Sequence, residues 1–267
     1  MPAAEAEIRV EGITAAYAES PVLEGVDIHV AAGEMVGIVG RNGSGKSTLL
    51  KVMGRLIKPR RGAVYLNGTD ISSLPTQRVA QCMAVMPQAP ASPQQLTVRE
   101  LIGYGRYPHI PWLQRFGIRD REVIQETMQS CRLEDFADRQ LSTLSGGERQ
   151  KAWIALALAQ QPRVMLLDEP VTFLDLGHQL EVMDLIAELN HMHGITVVIV
   201  LHDLNLAARY CSRLIALQSG SVYADGPTED VIQEDVLREV FGIDARIGFD
   251  PLTHKPVCFP YRLDATV

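Results

Sequence analysis

The stretch Gly40-Arg41-Asn42-Gly43-Ser44-Gly45-Lys46-Ser47-Thr48 restricts the fold more than any other part of the chain. It fits G-x-x-x-x-G-K-[ST], the phosphate-cradling P-loop, and its flanks are those the motif needs. Met35-Val36-Gly37-Ile38-Val39 reads as a short buried strand, and residues 48–53 read as the start of a helix. A triphosphate needs many donors at once. Glycines let successive backbone N–H groups turn inward, and the helix N-terminus adds its dipole. Lys46 is expected to reach the β- and γ-phosphates, and the Ser47 hydroxyl to ligate Mg²⁺. The spacing predicts a nucleotide-binding α/β core.

Bulk properties set the limits around that core. The chain has 267 residues, 46% hydrophobic and 21% charged, enough to bury a core in one large domain or two small ones. Its net charge of −7 argues against a nucleic-acid partner, which asks for a basic stripe. No apolar run approaches the roughly 20 residues that span a bilayer. Residues 1–7 are acidic and lack the apolar centre of a signal peptide. Cys82, Cys131, Cys211 and Cys258 stand far apart, with no pairing pattern for a metal or a disulfide framework. Together these features fit the cytoplasm.

Ahead of the P-loop, residues 8–30 alternate through Ile8, Val10, Ile13, Leu23, Val26, Ile28 and Val30, and predict antiparallel strands. Tyr17, set among alanines, is either a half-buried strand aromatic or a ring on which a base stacks. Behind the P-loop helix, residues 63–68 predict a strand closing on an Asn-Gly turn. Residues 79–86 lead to Gln88, which alone reads as a loop amide. Residues 89–93 form an irregular loop. Thr97 and Glu100 make a capping box, residues 103–117 a loop or broken helix, and residues 120–132 a helix with Val123, Ile124, Thr127 and Met128 on one side. The stretch 89–160 thus predicts a helical insertion in an α/β framework.

Leu144-Ser145-Gly146-Gly147-Glu148-Arg149-Gln150 opens the next helix. Ser145 and Glu148 form a second capping box. Two glycines in a first turn weaken a helix by about 0.5–1 kcal/mol each relative to alanine, so they point to close approach of an anion. Val164-Met165-Leu166-Leu167-Asp168-Glu169 is an apolar strand ending in two carboxylates, at the end where such sheets bind ligands. Asp168 can hold Mg²⁺, and Glu169 can take a proton from an attacking water. Asp175 reads as the cap of a helix over about 178–191, and His191 and His193 as a solvated loop before Gly194. Residues 196–201 form another buried strand. It ends at His202, either an ordinary strand-end histidine or a contact to a γ-phosphate. Residues 214–224 predict a hairpin, 230–241 an amphipathic helix, and the tail from 242 a short strand pair.

In this order the pieces resemble the ATP-binding subunit of an ABC transporter, over about residues 8–260. Tyr17 is similar to the family's adenine-stacking aromatic, Gln88 to its Q-loop, residues 144–150 to its signature, Asp175 to its D-loop and His202 to its switch histidine. The resemblance implies a P-loop NTPase fold with a RecA-like core, an N-terminal antiparallel β subdomain and a helical subdomain over about 89–160. The whole of 1–267 would then be one nucleotide-binding domain, with a short extension over about 242–267. ATP and Mg²⁺ are the implied ligands, with Ser47, Gln88 and Asp168 at the metal. The nucleotide would touch Tyr17, Gly40, Asn42, Gly43, Ser44, Gly45, Lys46, Ser47, Thr48, Gln88 and Asp168. It would also touch Ser145, Gly146, Gly147, Glu148 and Asp175. Glu169, His202 and Lys46 are the implied catalytic residues.

The implied assembly is a head-to-tail pair that closes on two ATP molecules, docked on an inner-membrane permease at the cytoplasmic face. The signature of one copy faces the P-loop of the other. Gly105-Arg106-Tyr107-Pro108, Leu174-Asp175-Leu176-Gly177-His178-Gln179 and the stretch 201–210 narrow the likeness to importers of ferric siderophores, haem and vitamin B12, which use a periplasmic or lipoprotein binding protein. The stretch 105–117 and the short tail look most like ferric-hydroxamate subunits. Haem or vitamin B12 import is the alternative. A soluble ABC protein fits badly, because the chain has one P-loop and no long heptad run. Two departures stand out: Val171-Thr172-Phe173 replaces the usual Thr-Ser-x, and Glu148 replaces the commoner Gln. Neither removes a group assigned to chemistry.

Overall fold

The structure, a computed structural model, describes residues 6–17, 20–88, 95–111 and 115–263. They group into two compact units, one of Ala6–Ser73 with Thr196–Val267, the other spanning Leu74–Ile195. The irregular loop expected over 89–93 lies outside the described residues.

The first unit begins with β1 (Ile8–Tyr17) and β2 (Ser20–Val30), paired antiparallel with Ile8 opposite Val30 and Val10 opposite Ile28. Their alternation buries Ile8, Val10, Ile13 and Ala15 from one strand and Leu23, Val26, Ile28 and Val30 from the other. β3 (Met35–Val39) is buried at every residue, as its uninterrupted apolar run requires. It feeds the P-loop and then α1 (Lys46–Met53), whose Leu49, Leu50, Val52 and Met53 are buried. β4 (Arg61–Leu66) joins β1, and Asn67 and Gly68, both at positive φ, turn it into β5 (Thr69–Asp70). The Asn-Gly dipeptide takes the turn expected of it.

The second unit opens with α2 (Thr76–Cys82) and β6 (Met83–Met86). The elements described between there and the next strand are helical: α3 (Val98–Tyr104), a single turn at Tyr107–His109, α4 (Ile118–Ser130), and α5 (Gly146–Ala159) after two further short turns. α4 buries Val123, Ile124, Thr127 and Met128, the face its spacing predicts. β7 (Val164–Asp168) then runs parallel to β6, with Met86 beside Leu167, and α6 (Leu176–His193) follows. Gly194, at φ 62°, ends α6, so His191 and His193 lie in its last turn rather than on a loop.

Both capping boxes form. Thr97 Oγ1 accepts the Glu100 N–H at 3.2 Å while Glu100 Oε2 accepts the Thr97 N–H at 2.9 Å. Thr97→Ala is expected to lower stability by about 1 kcal/mol, the usual loss at a cap. A urea midpoint equal to the parent's would show that α3 starts without it.

The chain re-enters the first unit with β8 (Thr196–Val200), α7 (Leu204–Tyr210), β9 (Arg213–Gln218) and β10 (Ser221–Pro227). β8 and β9 flank β3 in parallel, and β10 returns antiparallel on β9 through Ser219 and Gly220. The amphipathic helix expected over 230–241 is broken. A turn at Thr228–Val231 stops, Ile232 leaves the helical region at ψ 72°, and winding resumes at Glu234 through Phe241. Both pieces still bury their apolar residues, Val231, Ile232, Val236, Leu237 and Val240. The tail forms the expected pair, β11 (Ile243–Phe249) antiparallel to β12 (Pro256–Leu263). Asn205 of α7 pins it, accepting the Cys258 N–H at 2.7 Å and donating to the Cys258 carbonyl at 3.2 Å. All four cysteines are free.

Candidate functional site

The first unit carries Tyr17, residues 40–48 and His202. The loop leaves β3 at Gly40, where φ is 145° and an added methyl group would stand 2.8 Å from Ser44 Oγ and against the Leu217 carbonyl. Gly45, at φ 103°, precedes α1 with Leu23 and the Val22 carbonyl where a side chain would be. Both positions exclude any residue but glycine. Lys46 is 5% exposed and donates to the Gly40 and Arg41 carbonyls, each at 2.8 Å, so its ammonium is held inside the curl of the loop. Ser44 Oγ is buried without a hydrogen-bond partner among the described residues.

A buried ammonium and an orphaned hydroxyl in a glycine-rich loop fit an anionic ligand that gives the Ser44 hydroxyl an acceptor. Thr48 is buried, Ser47 half-buried, and Asn42 exposed at the mouth of the loop. His202 is the second residue past β8. Because β8 is the parallel neighbour of β3, it comes out at the same edge as the loop, exposed. Tyr17 ends β1 with 52% of its surface exposed.

The second unit carries Gln88, residues 145–148, Asp168, Glu169 and Asp175. β6 and β7 are parallel, so Gln88 and the two carboxylates leave the sheet at one edge. Gln88 Nε2 donates to Glu169 Oε2 at 2.5 Å, and Thr172 Oγ1 donates to the same oxygen at 3.1 Å. Asp168 is 3% and Glu169 8% exposed. Glu169 has φ 51°, a left-handed backbone unusual for a side chain of its size and a common mark of sites that aim a group.

The Gln88–Glu169 contact joins residues 81 apart, and single-residue reading of Gln88 could not find it. Thr172 was noted only as a departure from a pattern. Its place three residues after Glu169 was the available signal.

At the start of α5, Ser145 and Glu148 bond reciprocally, Glu148 Oε2 accepting the Ser145 N–H at 2.7 Å. That backbone bond holds the Glu148 carboxyl below its ordinary range. The Glu that departs from the commoner Gln is thus fully employed as a cap. Asp175 caps α6 by accepting the His178 N–H at 2.9 Å, and this bond, with one from the His178 ring, likewise holds its carboxyl below its ordinary range. Among the described residues no group of three or more His, Cys, Asp and Glu is arranged to hold a metal ion. Nor is any described helix long and apolar enough to cross a membrane.

The family model for ABC transporters matches residues 23–172, which include the P-loop, Gln88, the signature stretch and both carboxylates. The chain belongs to the ABC transporter family. Its cassette binds and hydrolyses ATP, on the mixed α/β architecture of a P-loop NTPase. The achromobactin transport ATP-binding protein CbrD of Dickeya dadantii (strain 3937) is 44% identical over 249 residues, 93% of this chain and 93% of that protein. The iron(3+)-hydroxamate import ATP-binding protein FhuC of Bacillus subtilis (strain 168) is 43% identical over 256 residues, 96% of this chain and 95% of that protein. Among solved structures, the dimeric bacterial ABC transporter cassette MJ0796 superposes with a TM-score of 0.71 at 31% identity, covering 83% of this chain and 98% of its own.

Proposed function

We propose that this chain is the ATP-hydrolysing subunit of a ferric siderophore importer, acting as a single nucleotide-binding domain at the cytoplasmic face of the inner membrane. The observation that carries the chemistry is Glu169, buried past β7 in a left-handed backbone and held by Gln88 and Thr172. A carboxylate so placed orients a water and takes its proton as the γ-phosphate is attacked. Lys46 and the loop N–H groups hold the phosphates, His202 contacts the γ-phosphate, and Tyr17 stacks on the base. Ser47 and Asp168 are the oxygen ligands suited to Mg²⁺, with Gln88 as its third contact. When bound, the ion neutralises phosphate charge. Gln88 bonds to Glu169 in this structure, so a nucleotide that engages Gln88 releases the carboxylate for chemistry.

Two copies pair head to tail, Ser145, Gly146 and Gly147 of one closing on the ATP of the other. The dimeric cassette that this chain resembles supports the pairing, as do Phe173 and Leu176, apolar residues 95% and 76% exposed on either side of Asp175. The permease and an external binding protein select the cargo. Relatives named for achromobactin and for iron(3+)-hydroxamate stand at nearly equal identity. They support siderophore import, and the hydroxamate class rests on the likeness of the stretch 105–117 and the tail.

Uptake of radioactive iron as ferric hydroxamate tests this reading in iron-starved cells. The parent is compared with a strain carrying Lys46→Ala at the locus, with labelled haem and vitamin B12 in parallel. Selective loss of hydroxamate iron, down to the level of a deletion, is the expected result. Loss of only haem or B12 uptake would keep the machine and replace the cargo. Unchanged uptake of all three, with no second ATPase expressed, would overturn the importer.

A further inference from the structure

In the sequence, the two glycines of Ser145-Gly146-Gly147-Glu148 answer to an anion approaching the helix start. In the structure they also answer to side chains of their own chain. A methyl group on Gly146 would stand 3.2 Å from Leu174 Cδ2. One on Gly147 would run into the imidazole of His178, 2.8 Å from its Cγ and nearer still to Cδ2. Contacts that short do not occur between real side chains, so one group would have to move.

The imidazole is tethered on its other side. Its Nδ1 lies 2.9 Å from Asp175 Oδ1, the oxygen that also accepts the His178 N–H and so caps α6. His178 therefore stands as a spacer between Asp175 on one side and the backbone of Gly147 on the other. One turn further along, Lys151 Nζ of α5 meets Glu181 Oε2 of α6 at 2.6 Å, which fixes the two helices in the same relation. The stretch Leu174-Asp175-Leu176-Gly177-His178-Gln179 thus lies against the opening of α5 through its Leu and its His.

We propose that His178 is a positioning residue for ATP hydrolysis, locking the Asp175 turn to Gly147 so that the signature segment and that turn move as one piece. This rests on the paired reading above, in which residues 145–148 face the nucleotide of the second copy. A displaced segment then raises the ATP concentration needed to close the pair, more than it slows the chemical step within a closed pair. Glycine at 147 is demanded from inside the chain as well as by the nucleotide.

A double-mutant cycle separates the two demands. ATP turnover against ATP concentration is measured for the parent, Gly147→Ala, His178→Ala and the double variant, with thermal melts to show that each is folded. Gly147→Ala alone is expected to raise half-saturation by about tenfold or more, an interaction within the range found for touching residues. The double variant is expected to recover most of that loss toward the His178→Ala value, because the methyl group then has room within the chain, and what remains is the demand of the nucleotide. His178→Asn, which keeps a donor for Asp175 in a smaller side chain, is expected to stay closer to the parent than His178→Ala.

A double variant as impaired as Gly147→Ala would overturn the proposal, since the glycine would then serve only what approaches from outside. So would parental ATP dependence in His178→Ala. ATP-induced pairing of Glu169→Gln, followed by gel filtration, is run alongside. If that variant pairs while the cycle is additive, the inference falls alone. If it stays monomeric, the paired reading falls and takes the inference with it.

Discussion

Glu169→Gln is expected to lower ATP turnover by about 10²–10⁴-fold while leaving ATP binding intact, the loss that follows removal of a general base. The substitution isolates chemistry from folding. Glutamine has the shape of glutamate and keeps one oxygen to accept from Gln88 and Thr172, which now donate at 2.5 and 3.1 Å. It inherits the same left-handed backbone, so any strain at φ 51° is common to both forms. What disappears is the negative charge and the basic lone pair. A nucleotide that cannot be cleaved should hold two copies together, so the variant is expected to elute as a dimer with ATP and as a monomer with ADP. Steady-state turnover and gel filtration read both effects. Turnover within a few-fold of the parent would remove Glu169 from the chemistry and shift attention to His202, at the edge shared with the P-loop.

The parts of the fold legible in the sequence are those where one physical rule dominates. β3, β7 and β8 are unbroken apolar runs, and each is buried at every position. The capping boxes at Thr97 and Ser145 were legible because both partners lie within one turn. The face of α4 was legible because four apolar residues share one side. Failures came where a local rule met a longer-range demand. The spacing of Val231, Ile232, Val236, Leu237 and Val240 suits one helix, yet the chain turns at Ile232 and buries the same residues in two pieces. Periodicity reports which side is buried and cannot report a break that preserves it. At the site, the residue types and their order were legible, and the contacts among them were not. Gln88 on Glu169, Thr172 on Glu169 and His178 on Gly147 each depend on how strands and helices bring remote or unremarked positions together.

Arg106→Met is expected to destabilise the Leu74–Ile195 unit by about 3–5 kcal/mol, the range for leaving a buried ionic group without its partner. The sequence singled out Gly105-Arg106-Tyr107-Pro108 as a likeness without a physical role, and the structure supplies one. The guanidinium is 4% exposed and ties together segments distant in sequence. Its Nε donates to Asp120 Oδ1 at 3.0 Å, and Nη1 donates to the Ala159 carbonyl at 2.7 Å and to Gln161 Oε1 at 3.0 Å. Ala159 is the last residue of α5, so the arginine closes the far end of the helix whose start is the signature segment. Burial works against the charge of Asp120. The Gly117 N–H and the Arg106 guanidinium outweigh it and hold that carboxyl below its ordinary range. Beside them His109 Nε2 lies 2.8 Å from the Gln160 carbonyl, and Gln77 and Gln81 both donate to the Pro108 carbonyl, at 2.9 and 2.8 Å. Methionine fills much of the volume but satisfies none of the three acceptors. Removing both charges should cost less than removing one, because an unpaired carboxylate is worse than an apolar contact. Arg106→Met with Asp120→Leu is therefore expected to recover part of the loss. Urea unfolding followed through Trp153, on α5, reads the difference. A single variant within about 1 kcal/mol of the parent, the scale of an exposed ion pair, would show that the guanidinium does not hold these segments together.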